Sequence, residues 1–126
     1  MEVPILKQGH YLIASIQGAM TDTDLRRMQE NLVNAVRNNR SRGVIIDVTV
    51  LDVMDSFSAR TLRSIATMIH LLGAKLVIVG IQPDIAFSMV QLGLTLAGTM
   101  TSLDLEGGIS MLKSADKKNR HPGYGR

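Results

Sequence analysis

The sequence predicts an α/β fold, a four- or five-stranded mixed sheet with about four helices, and three observations carry that expectation. Two runs, Val44-Ile45-Ile46-Asp47-Val48 and Lys75-Leu76-Val77-Ile78-Val79-Gly80, are rich in β-branched residues and almost continuously apolar, as central strands covered on both faces are. Other stretches repeat apolar residues at spacings of three and four, the period of a half-buried helix. The resulting order of strand, helix and strand makes a parallel, right-handed crossover the default connection.

Each element follows from local patterning. Val3-Pro4-Ile5-Leu6 reads as a short first strand and Tyr11 to Ile16 as a second, stopped by Gln17-Gly18. Thr21-Asp22-Thr23-Asp24 is a capping box, so a helix opens there. Its buried stripe is Leu25, Met28, Leu32, Ala35 and Val36, with Arg26, Arg27, Glu30, Arg37 and Arg40 mostly outside. The third strand is Val44 to Val48, and a second helix runs from about Ser56 to Leu72 on Leu62, Ile65, Ala66 and Ile69, with Gly73 as its stop. Lys75 to Gly80 is the fourth strand. Pro83 suits the first turn of a short helix with Ile85, Ala86, Met89 and Val90 inward, ended by Gly93. Leu94 to Thr101 holds an edge strand or extended loop, and Leu105, Ile109 and Leu112 mark a last helix.

Composition narrows the function. A chain of 126 residues, 45% hydrophobic and 20% charged, is one globular domain. No apolar run reaches the roughly 18 residues a membrane helix needs, and Met1-Glu2-Val3-Pro4 has no signal-peptide character, so the cytoplasm is the expected compartment and no membrane partner is expected. Without cysteine there is no disulfide, thiolate nucleophile or cysteine metal site. The formal charge of +3 is concentrated in Lys113 to Arg126, which holds five basic residues and one acid, leaving nine basic and ten acidic residues in the body. That distribution, with 3% aromatic residues, argues against a nucleic-acid surface on the domain. The expected organisation is a domain over residues 1–113 and a basic, disordered tail over 114–126.

Chemistry concentrates in Asp47 to Arg60, where a buried strand runs out and a helix begins, the place where ligands and switches gather in open α/β sheets. Ser56 follows Asp55 directly and is read as the helix N-cap, with an exposed hydroxyl close to free backbone N–H groups. A phosphate there would be favoured by those amides and the helix dipole, and Arg60 and Arg63, four and seven positions on, would share its side of the helix. A serine at a helix start also serves simply as a cap. Asp52 reads as a turn residue and Asp47 as a hydrogen-bonded structural carboxylate. Met54 and Phe57, apolar and flanking Ser56, are candidates for partner contact, with an inward Phe57 equally open.

The run from Asp47 through Asp52 to Asp55-Ser56 before an apolar helix, followed by Gly73-Ala74-Lys75-Leu76-Val77-Ile78-Val79-Gly80, resembles the STAS domain of bacterial anti-sigma-factor antagonists over about residues 3 to 113. Within that family, Asp55-Ser56-Phe57-Ser58-Ala59-Arg60 and Gly80-Ile81-Gln82-Pro83-Asp84-Ile85-Ala86 are most similar to the stressosome scaffold branch. The simple antagonists usually carry Asp-Ser-Ser-Gly at this loop. Here Phe57 stands for the second serine and Ser58 for the glycine, which makes Ser58 a second candidate hydroxyl. Ser88 lies where the related co-antagonists carry a further phosphorylated residue, although an ordinary helix serine is the favoured reading.

The resemblance implies the STAS fold and a role without catalysis or cofactor. The chain would assemble with itself and a stressosome co-antagonist into a large complex, hold a serine/threonine switch kinase while unphosphorylated, and release it once Ser56 is phosphorylated. The implied partner contacts are Asp52, Met54, Asp55, Phe57, Arg60 and Arg63. Three readings compete. A phosphate-accepting receiver domain needs an acidic Mg²⁺-binding pair after the first strand, where this chain has Ser15-Ile16-Gln17-Gly18. Acid–base catalysis by Asp47, Asp52 and Asp55 finds no histidine among them, since His10, His70 and His121 are scattered and hold no metal site, and Gly107-Gly108 makes no phosphate loop. A small-molecule module binding nucleotides is the runner-up.

Overall fold

In the computed structural model, which describes residues 3–94, 96 and 98–119, β1 (Ile5–Gln8) pairs antiparallel with β2 (Tyr11–Ser15). β3 (Gly43–Asp47), β4 (Lys75–Val79) and β5 (Thr99–Ser102) then add in parallel, giving the spatial order β1-β2-β3-β4-β5. Helices α1 (Asp22–Asn39), α2 (Ser56–Leu71) and α3 (Pro83–Gln91) connect successive parallel strands, and α4 (Leu105–Asn119) follows β5. This is the five-stranded mixed sheet with four helices that the sequence predicts, and the central strands are covered on both faces as their composition requires.

Strand periodicity sorts the side chains into two cores. Leu12, Ala14, Val44, Ile46, Leu76 and Ile78 face α1 to α3, joining Leu25, Met28, Leu32, Leu62, Ile65, Ile69 and Ile85. Ile13, Ile45, Val77 and Val79 face the other way, onto Leu112 of α4. The alternation is the period of two that a strand imposes, and each fully buried Leu or Ile contributes about 1.5–3 kcal/mol. α4 comes close to the sheet through Gly108, where a Cβ would stand 2.8 Å from Val79 Cγ1.

The structure corrects three expectations. β1 begins at Ile5, while Val3 is buried in the core ahead of it. In α3, Ile85 and Met89 face inward, but Val90 is 79% exposed and Ala86 is also exposed, because a helix of nine residues needs only one i, i+4 pair to seat on the sheet. α4 runs to Asn119, so residues 114–119 are helical where a disordered tail was expected. Asp116 anchors that stretch by accepting hydrogen bonds from Arg42 Nη1 on both carboxylate oxygens, at 3.1 and 3.2 Å. The rest of the predicted tail, 120–126, lies outside the described residues.

Candidate functional site: the start of α2

The connection from β3 to α2 is held by hydrogen bonds that its own polar residues supply. Asp47 Oδ1 accepts from Thr49 N at 2.9 Å and from Thr49 Oγ1 at 2.6 Å, so this carboxylate is structural, as its position at a strand end suggested. Thr49 O accepts from the Gln82 side chain, which latches the loop to the start of α3. Gly80 permits the latch: its φ of +76° suits glycine, and a Cβ there would stand 3.1 Å from Thr49 Cα and 2.1 Å from its Oγ1. Leu51 N donates to Val48 O at 2.9 Å, turning the chain toward α2.

Asp55, not Ser56, is the N-cap of α2. Its backbone is extended and its Oδ1 accepts from Ser58 N at 2.8 Å and from Ser58 Oγ at 2.8 Å. These bonds, the backbone one first, hold the Asp55 carboxyl below its ordinary pKa. Aspartate outcompetes the following serine for the cap because its carboxylate reaches the amide three residues on, and the Asp55–Ser58 spacing was the signal for it. Ser56 is therefore the first residue of the helix, and it is exposed. Its hydroxyl has no hydrogen-bond partner among the described residues, whereas the half-buried Ser58 spends both its amide and its hydroxyl on the cap.

Ser56 shares a cleft of about 240 Å³ with Ala59, Arg60, Arg63, Leu92 and Leu94, which brings both predicted arginines to its side. The Phe57 ring is half-buried, packs against the core, and has Arg26 of α1 5.3 Å and Arg60 6.0 Å from its centroid. Met54 is not an exposed contact: it is buried, 8% accessible, because the loop folds it under α2. The exposed apolar residues of this loop are Val50 and Val53, at 53% and 69%, which the sequence reading passed over. Asp52 is exposed at the rim of a second hollow of about 200 Å³, lined mainly by apolar residues of α1, α2 and the loop, among them Met20, Leu25, Met28 and Met54. Ser88 stands apart on α3, its hydroxyl donating to Asp84 O at 3.0 Å. No group of histidines and carboxylates among the described residues could hold a metal ion.

Comparison with known proteins decides the family. The STAS domain family model matches residues 2–104. The chain belongs to the STAS domain family. A serine-to-glutamate variant of RsbS from Moorella thermoacetica superposes with a TM-score of 0.83 at 33% identity, covering 91% of this chain and 97% of that one. A chain from the molecular architecture of the stressosome, a signal integration and transduction hub, gives a TM-score of 0.77 at 32% identity, covering 90% of this chain and 99% of that one. The RsbT co-antagonist protein RsbRA of Bacillus subtilis is 34% identical over 107 residues, 84% of this chain. The chain spans 39% of that relative's length. These matches place the chain among STAS proteins of the stressosome type.

Proposed function

We propose that this STAS protein is a stressosome scaffold that holds a serine/threonine switch kinase of the RsbT type while Ser56 is unmodified and releases it when Ser56 is phosphorylated. It acts by binding and not by catalysis, in the cytoplasm, within an assembly that includes copies of itself and RsbR-like co-antagonists. Among the described residues, no helix is long and apolar enough to cross a membrane.

The observation that carries the choice of residue is the contrast between the two hydroxyls. Ser56 is exposed and uncommitted beside Arg60 and Arg63, while Ser58 is tied to the cap. A phosphate of about −1.5 to −2 charges on Ser56 sits at the positive end of the helix dipole and beside two guanidinium groups, so the fold accepts it. On Ser58 it would displace the Asp55 cap and place two anions together. Likeness to an RsbS studied with glutamate in place of serine supports a serine as the switch. Ser88, back-bonded to its own helix, is a weaker second site.

Incubating the protein with its switch kinase and ATP, then mapping phosphate by mass spectrometry, tests this reading. Modification of Ser56 with release of the kinase is expected, and modification of Ser58 alone overturns it. The apolar hollow beside Asp52 favours a second reading, a small-molecule module. Calorimetry with a guanine nucleotide separates the two, since the scaffold reading expects no heat of binding.

A further inference from the structure

Three arginines gather around the switch without carboxylate partners. Arg26 and Arg60 flank Phe57 at 5.3 and 6.0 Å, and Arg60 and Arg63 line the cleft that holds Ser56. All three are exposed, and no described carboxylate lies within ion-pair distance of any of them. Elsewhere on the molecule, Arg42 does have such a partner in Asp116. Asp22 and Glu30 stand one turn either side of Arg26 on α1 without pairing with it, and of the loop acids Asp52 and Asp55, Asp55 is engaged with Ser58.

We propose that the Arg26–Phe57–Arg60–Arg63 face docks an acidic segment of the switch kinase, a partner chemistry defined by charge complementarity with uncompensated guanidinium groups around an aromatic ring. The inference rests on the kinase-binding reading above and specifies what the partner presents. It also explains release. A phosphate of about −1.5 to −2 charges at Ser56 adds negative charge beside Arg60 and Arg63 and engages them from within their own helix, so the acidic segment loses its partners and meets a like charge. Guanidinium groups held over a ring are partly pre-positioned, which lowers the entropy lost on forming bidentate contacts to carboxylates.

The test is a titration of nucleotide-free kinase against the full chain. For the unmodified protein, raising salt from about 50 to about 500 mM is expected to weaken binding about tenfold. Replacing all three arginines with alanine should weaken low-salt binding by about tenfold and flatten the salt dependence, while replacing all three with lysine restores most of the affinity. Ser56→Glu should cost much less affinity in the triple-alanine background than in the wild type. Arg63→Ala, whose side chain lies over neither face of Phe57, gives a partial loss that cannot come from disturbing that ring. Salt-independent binding with wild-type affinity in the triple-alanine protein overturns the proposal. So does salt dependence that appears only when the kinase carries nucleotide, which would assign the patch to nucleotide phosphates. If Ser56→Glu leaves wild-type binding unchanged, the switch reading itself fails, whatever the arginines do.

Discussion

The starts of α1 and α2 solve one physical problem in two ways. Each helix begins with N–H groups that have no partner inside the helix. At α1 the solution is closed: Asp24 N donates to Thr21 Oγ1 at 3.1 Å and Thr21 N donates to Asp24 Oδ2 at 3.0 Å, so both polar side chains are consumed. At α2 a single carboxylate, Asp55, takes the amide and hydroxyl of Ser58, and the serine between them is left out of the network. The difference is one of commitment. Capping at α2 falls to Asp55 and Ser58 and leaves the Ser56 hydroxyl uncommitted, so changing Ser56 does not undo the cap.

The largest effect is expected where the α2 start is anchored to the sheet. Gly80→Ala forces a Cβ onto Thr49 at a positive φ and should cost on the order of 1–3 kcal/mol in chemical denaturation, with weakened kinase binding because the switch loop shifts. Ser56→Asp comes next. It should weaken kinase binding by about tenfold or more, roughly 1.4 kcal/mol, while unfolding free energy moves by less than about 1 kcal/mol. A large loss of helicity in that variant would break the comparison.

Removing the caps separates the two ends. Thr21→Ala and Asp55→Ala should each cost about 1 kcal/mol of stability, but only Asp55→Ala should alter kinase affinity. Acid titration sharpens this further. The folded-state pKa of Asp55 is lowered, so its stabilising contribution is complete above the ordinary carboxylate value and is lost as pH falls through the lower, folded one. Below about pH 4, the wild type should therefore lose a small stability advantage that Asp55→Asn never has. The smallest effect is Ser58→Ala, a few tenths to about 1 kcal/mol for one exposed hydroxyl bond, with Ser56 phosphorylation unimpaired.

Much of this was legible in residues whose signals are local. The α1 capping box, the apolar runs of β3 and β4, and the Pro83 start of α3 form as their sequences dictate, because propensity, pattern and burial agree there. Placing Arg60 and Arg63 beside Ser56 needed only helical geometry. Other features depended on long-range neighbours. Met54 is buried because of how the loop packs, the Arg26 contact to Phe57 joins residues on different helices, and the extension of α4 is secured by Arg42 from the far side of the chain. The cap assignment failed for a different reason: Asp55 and Ser56 are both good caps, and only the distance to Ser58 N chooses between them.

Ser56 at the first position of its helix has a consequence for genetic screens. Acidic residues are favoured at that position, so Ser56→Asp or Ser56→Glu should leave cellular abundance unchanged or slightly raised. A mutational scan scored on protein level would record the site as tolerant, while a scan scored on stress signalling would record it as intolerant. The disagreement between those two maps would locate the switch without any knowledge of its chemistry.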